Sequence, residues 1–140
     1  MVFRREYWFL SNMYPVPVRM RMNGRTYVFT CSEAAFQACK CPARMVEFER
    51  VDGFAAKRLG KRVPLRGDWD EKKLEIMRRI LILKFGQNPE LAKRLLMVRG
   101  PIVEDNSWGD TYWGRCNGTG ENRLGLLLME LRDRLAAAQR

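Results

Sequence analysis

Glu33, Gln37 and Lys40 stand at spacings of four and three, so a helix over this segment puts all three on one face. Beside apolar Phe36, that face offers a carboxylate for proton transfer, and an amide and an ammonium that bind a sugar or a phosphate. The same stretch, Thr30-Cys31-Ser32-Glu33, also has the form of a capping box. In that reading Glu33 turns back onto a backbone N–H, and Gln37 and Lys40 face water. A second set is Asp110, Trp113 and Gly114, in a segment with further glycines at 109, 118 and 120. Indole and glycine together give a flat platform with close backbone approach, suited to a purine, pyrimidine or pterin-like ring; they equally describe a core tryptophan with turn glycines. The third is Lys57 in Ala56-Lys57-Arg58-Leu59-Gly60-Lys61-Arg62. Such a run holds a phosphate, or supplies a desolvated lysine that attacks a sugar C1, or is simply a solvated charged face.

The elements that must position these groups follow from local pattern. Val18, Met20 and Met22 alternate with Arg19 and Arg21, and Asn23-Gly24 supplies a type I′ turn, so residues 16–29 predict a β-hairpin. A helix opening at the Thr30–Glu33 box should stop near Lys40, because Pro42 disfavours helical backbone at Cys41. Helical stretches follow over Ala43–Arg50 and Gly53–Leu59. Asp68 and Glu71 open a longer helix with Leu74, Met77, Leu81 and Phe85 on its stripe, ended by Gly86. Asn88-Pro89 opens another, to about Val98. Ile102-Val103 reads as a short strand in a loop-rich stretch. The last helix runs from about Asn122 to Ala138 with Leu124, Leu127, Leu128, Leu131 and Leu135 inward. Gly118-x-Gly120 is no dinucleotide fingerprint, since Arg123 stands where the third glycine belongs. The expected fold is α+β: a mainly α-helical compact single domain, residues 1–140, with a small β-hairpin or sheet.

With 46% hydrophobic residues in 140, the composition is that of a globular domain, not a disordered or low-complexity chain. No apolar run approaches the length of a membrane span and the start lacks an apolar leader, so a cytoplasmic location is expected. The absence of histidine excludes catalysis that relies on a histidine base, and His-ligated metal sites. Acid–base work falls to Asp, Glu, Lys or Tyr. The four cysteines form no C-x-x-C pair, which argues against a zinc ribbon. A net charge of +10 draws phosphates, on a small metabolite or on nucleic acid.

In series along the chain, the segments resemble the motifs of the NADAR (YbiA-like) family. Phe9-Leu10-Ser11-Asn12-Met13-Tyr14-Pro15 is similar to its F-x-S-N-F-Y-P opening. Ser32-Glu33-Ala34-Ala35-Phe36-Gln37-Ala38-Cys39-Lys40 is similar to S-E-H-x-[FY]-Q-x-x-K, and Ala56-Lys57-x-x-Gly60 to A-K-x-x-G. Asp68-Trp69, Met77 and Lys84-Phe85-x-Gln87-Asn88-Pro89-x-Leu91 resemble D-W…M…K-F-x-Q-N-P-x-L. Val103-Glu104, Asp110-x-x-Trp113-Gly114 and the segment from Gly118 through Asn122 to Arg132 complete the series. Two positions depart from the pattern: Ala34 stands where the family usually has His, and Cys116 where a glycine is frequent.

The resemblance implies an N-glycosidase that cleaves a ribose C1–nitrogen bond without cofactor or metal. The implied substrates are a small phosphorylated ribosylamino-pyrimidine of the riboflavin pathway, or ADP-ribose on guanine in nucleic acid. Glu33 and Asp110 are the expected acid–base or charge-stabilising pair. Trp69, Trp113 and Gly114 are expected to enclose the base, and Asn12, Gln37 and Asn122 to bind ribose hydroxyls. Lys40 and Lys57 are expected on phosphate, or one of them as a Schiff-base nucleophile. The competing reading is a non-catalytic nucleotide- or nucleic-acid-binding module, which also accounts for the positive charge.

Overall fold

The β-hairpin forms as its sequence dictates. In the computed structural model, which describes all 140 residues, β1 (Val18–Met22) pairs antiparallel with β2 (Arg25–Phe29), Met20 opposite Tyr27. Asn23 and Gly24 turn with φ of 51° and 78°, the left-handed values a type I′ turn requires. Val18 and Met20 are buried and the intervening arginines exposed.

Residues 12–87 make up one compact unit, to which the hairpin belongs. Three helices follow it: α1 (Ser32–Ala38), α2 (Gly53–Gly60) and α3 (Trp69–Gly86), with a 3-10 helix at Pro42–Phe48 between α1 and α2. Every residue of α1 is buried. It packs against α2 and α3, and α3 packs on β1. Met77, Ile80, Leu81, Lys84 and Phe85 are the buried side chains of the second half of α3. Leu74 of the expected stripe is only half-buried.

Residues 1–11 and 88–140 form the other unit. It holds a 3-10 helix at Arg5–Leu10, α4 (Pro89–Met97), β3 (Asp105–Asn106), β4 (Arg115–Cys116) and α5 (Arg123–Ala138). α4 packs on α5. Arg132 ties them by donating to the carbonyls of Val98 (2.7 Å) and Gly100 (2.8 Å), just past the end of α4. β3 and β4 pair in parallel. A second Asn-Gly turn, Asn117-Gly118 with φ of 53° and 78°, closes between Cys116 and Thr119. Its two-residue signature matches that of Asn23-Gly24 and is just as legible. The fold is α+β, with seven helices and two two-stranded sheets. No helix is long and apolar enough to cross a membrane.

Several local expectations are corrected. The capping box does not form: α1 starts at Ser32 with Cys31 as N-cap, and no side chain caps it. Thr30 instead donates its hydroxyl to the Val51 carbonyl at 2.6 Å, and Glu33 stands one position earlier in the helix than the box requires. Asp68 does not cap α3 but forms a two-pronged pair with Arg66, at 2.5 and 3.0 Å. The Ala43–Arg50 stretch is 3-10 rather than α, interrupted at Arg44 with φ −122°. Ile102-Val103 is not a strand: Asn122 accepts from the Glu104 N–H and donates to the Ile102 carbonyl, both at 2.9 Å, so a side chain takes the place of a strand partner. The 3-10 start at Arg5 and the helix start at Asn88 likewise lack side-chain caps.

Candidate active site

α1 and α2 face each other through two matched pairs. Glu33 and Gln37 are one turn apart on α1; Lys57 and Gly60 are one turn apart on α2. Lys57 Nζ lies 3.8 Å from Glu33 Oε1. Gly60 lies against Gln37, and the approach is so close that a Cβ at 60 would stand 2.0 Å from Gln37 Oε1. The pattern Ala56-Lys57-x-x-Gly60 thus has a physical reason: one charge for Glu33, and one missing side chain for Gln37. Gly53, at the other end of α2, makes room in the same way, since its Cβ would lie 2.2 Å from Met13 Sδ and 3.5 Å from Glu33 Cβ.

Glu33 is 7% exposed, a carboxylate mostly withdrawn from water. Its backbone N–H donates to the Asn12 carbonyl at 2.9 Å, which ties the first turn of α1 to the turn at residues 12–14. Ser32 adds a hydroxyl bond to Asn12 Oδ1 at 2.9 Å, and Asn12 Nδ2 points to Met77 Sδ at 3.7 Å on α3. The Asn12 carboxamide is therefore engaged by Ser32 and Met77 and braces α1.

Lys40 lies just past α1, its backbone N–H bonded to the Gln37 carbonyl at 3.1 Å. Burial lowers its pKa, Glu33 opposes that shift, and Lys61, Lys57 and Lys73 add to it. Four lysines therefore share one field around a single buried acid. Nζ of Lys40 stands 5.7 Å from the centre of the Trp69 ring. Trp69 itself is 7% exposed and lies against Phe36, with ring centres 4.9 Å apart. It lies beneath the Lys40 ammonium at the start of α3. Gln37 Oε1 is buried against Gly60 with no hydrogen-bond partner. Ala34, the departure from the family's histidine, is fully buried.

Asn12, Glu33, Gln37, Lys40, Lys57 and Trp69 thus all belong to the unit of residues 12–87, and their contacts link them. Asp110, Trp113, Gly114 and Asn122 belong to the other unit and have their own network. Asp110 Oδ1 accepts the N–H groups of Tyr112 (3.1 Å) and Trp113 (2.9 Å), shaping the loop as an Asx turn. Asn106 braces the same loop, donating to the Asp110 carbonyl at 2.8 Å and accepting from its N–H at 3.0 Å. Trp113 packs edge-on against Tyr112 with ring centres 4.8 Å apart. A Cβ at Gly114 would lie 1.6 Å from Glu104 Oε2, so this glycine lets a buried acid through. Asn122 is 2% exposed and its amide bonds the 102–104 backbone.

Sequence reading missed the support residues. Ser32 braces Asn12, and Met77 and Lys84 lie behind the 12–14 turn. The available signal was Lys84 itself: a lysine seven residues after Met77, on the apolar face of α3.

Comparison with known proteins gives this cluster its context. The NADAR domain matches residues 2–136. The N-glycosidase YbiA of Shigella boydii serotype 4 is 38% identical over 137 residues, covering 94% of this chain and 83% of that protein. A riboflavin biosynthesis protein of Vibrio vulnificus is 35% identical over 136 residues, 91% of this chain and 35% of that longer protein. The solution structure of Escherichia coli YbiA superposes with a TM-score of 0.81 at 36% identity, covering 99% of this chain and 86% of that one. The relatives and the family model define an N-glycosidase. The chain belongs to the NADAR family.

Proposed function

We propose that the chain hydrolyses the bond between ribose C1 and nitrogen in a phosphorylated ribosylamino-pyrimidine. The observation that carries this reading is the Glu33–Lys57 pair, a mostly buried carboxylate 3.8 Å from an ammonium, with Lys40, Lys61 and Lys73 in the same field. As the C1–N bond breaks, positive charge develops at C1, and a carboxylate withdrawn from water stabilises it best. The lysines suit the phosphate of the same substrate. The Vibrio vulnificus relative's name, a riboflavin biosynthesis protein, supports this substrate class.

In the proposed reaction Glu33 accepts a proton from water as the water oxygen bonds to C1. The electron pair of the C1–N bond leaves with the nitrogen, which takes a proton from the Lys40 ammonium. The proton held by Glu33 then restores Lys40 through solvent. The products are the sugar phosphate and the free amine. Lys57 balances the charge of Glu33 in the resting site and, with Lys61, holds the phosphate.

The experiment is incubation of the protein, in parallel, with the ribosylamino-pyrimidine phosphate and with DNA carrying ADP-ribosylated guanine. Release of sugar phosphate from the first supports the reading. Release of ADP-ribose from the second alone replaces the substrate. Salt-sensitive binding to plain DNA with no release from either would instead make this a binding module. Borohydride added during turnover tests the lysine route: a mass adduct on Lys57 or Lys40 would replace direct hydrolysis with a Schiff base.

A further inference from the structure

Lys84 is fully buried in the middle of the unit that carries Glu33, and the reaction proposed above does not use it. Burial of an ammonium is costly, so a lysine held inside a small fold has a task there or a strong reason of packing. Its surroundings define the task. Nζ lies 5.9 Å from the centre of the Tyr14 ring and 5.3 Å from that of Phe85. Met77, two turns earlier on the same face of α3, receives the Asn12 amide at 3.7 Å. One stripe of α3 therefore touches both ends of the 12–14 turn: Met77 at Asn12 and Lys84 at Tyr14. That turn in turn holds α1, through the Glu33 N–H on the Asn12 carbonyl and the Ser32 hydroxyl on the Asn12 side chain.

We propose that Lys84 is a positioning residue for the catalytic carboxylate: through Tyr14 it fixes the 12–14 turn, and the turn fixes the first residues of α1, including Glu33.

Burial lowers the pKa of Lys84 to about 7, and Cys31, at the start of α1, acts in the opposite direction. The titratable and charged groups on the elements packed on α3 are these. The turn brings Tyr14, α1 brings Glu33, and β1 brings Arg19 and Arg21, both exposed. The state of Lys84 thus changes near neutrality, and the brace changes with it.

The inference rests on Glu33 being the catalytic carboxylate, so one arm of the test does not use turnover. In the wild-type protein, a titration by NMR across about two pH units either side of 7 should shift the Asn12, Ser32 and Glu33 amides with a common midpoint. Lys84→Met should remove that midpoint. In the turnover arm, folded Lys84→Met should lower kcat by about ten- to a hundredfold while KM stays within about threefold. It should also lose the change of kcat that the wild type shows near neutrality. If Lys84→Met does not fold, Tyr14→Leu, which leaves the lysine in place, should give the same kcat loss. Amides of 12, 32 and 33 that ignore the neutral range overturn the proposal, and so does a folded Lys84→Met with wild-type kcat and pH profile. If the wild type turns over neither N-ribosyl substrate, the amide titration still decides whether Lys84 braces Glu33.

Discussion

Lys57 Nζ lies 3.8 Å from Glu33 Oε1, the two residues contributed by facing helices and separated by 24 positions of chain. Glu33 is mostly buried and Lys57 is 44% exposed, so the pair sits at the lip of the helix–helix contact with its acid inward and its base outward. That asymmetry separates what each contributes. In the proposed reaction the acid works because it is withdrawn from water, and the base tunes it and meets the anionic substrate.

Glu33→Gln keeps the shape of the side chain and the backbone bond to Asn12. Hydrolysis should fall by about 10²–10⁴-fold, the range for removal of an acid–base group. The melting temperature should stay within about 3 °C. Sugar-phosphate release and a thermal melt measure both. Wild-type turnover in this variant would remove Glu33 from the mechanism.

Lys57→Gln should cost less than about 1 kcal/mol of stability, because a half-exposed ion pair is screened by solvent. Turnover should fall by about tenfold, with the larger part in KM, as expected for lost phosphate binding. Denaturant melts and steady-state kinetics separate the two effects. A loss as large as that of Glu33→Gln would assign Lys57 a covalent role.

Gly60→Ala tests the close approach of α2 to Gln37. Alanine gains about 1 kcal/mol in helix propensity. The overlap with Gln37 Oε1 outweighs it, so a net loss of about 1–3 kcal/mol is expected. In a Gln37→Ala background the same change should be neutral or stabilising. The coupling read from this double-mutant cycle by urea unfolding is the measurement.

Stability should depend on pH in a direction set by two buried groups. Lys84 has a folded pKa of about 7, against about 10.4 in an unfolded chain. Below 7 it is charged in both states and its burial weighs against the fold. Between 7 and the ordinary lysine range the unfolded chain binds more protons, so stability rises with pH. Burial raises the Cys39 thiol to about 11, against about 8.5 unfolded. The fold then keeps a proton the unfolded chain loses, and stability from this group falls as pH rises past about 8.5. Urea melts should therefore show stability climbing from about pH 7 to about pH 8.5 and flattening beyond. Lys84→Met should reduce the climb to the smaller part that Lys40, also lowered by burial, contributes.

Asp110→Asn should leave the melt unchanged, because an amide oxygen still accepts the Tyr112 and Trp113 N–H groups. Asp110→Ala removes both bonds and should cost about 1–2 kcal/mol. Denaturant unfolding of the two variants compares them directly.

Much of the secondary structure was legible because it depends on neighbours in sequence. Asn23-Gly24 specifies its turn, alternating Val18, Arg19 and Met20 specify the strand face, and Pro89 and Gly100 bracket α4. The leucines at 124, 127, 128 and 131 are buried on one face of α5, as their spacing requires. The NADAR motifs marked Glu33, Lys57 and Gly60 as belonging together without saying how. What only the tertiary structure decided was the use of each polar group. The Thr30–Glu33 box suited a cap, but Val51 takes the threonine hydroxyl and leaves Glu33 facing Lys57. The motifs mark Asn12 and Asn122 as polar positions, and only the fold shows Asn12 bonded to Ser32 and Asn122 to the 102–104 backbone. Lys84 enters the sequence only as one letter of a motif, and the fold encloses it wholly. A side-chain hydrogen bond or ion pair is made with whatever the fold brings within about 3 Å, and that partner lies tens of residues away along the chain. Local pattern carries the period of a helix, but not the identity of the group that packing places opposite it.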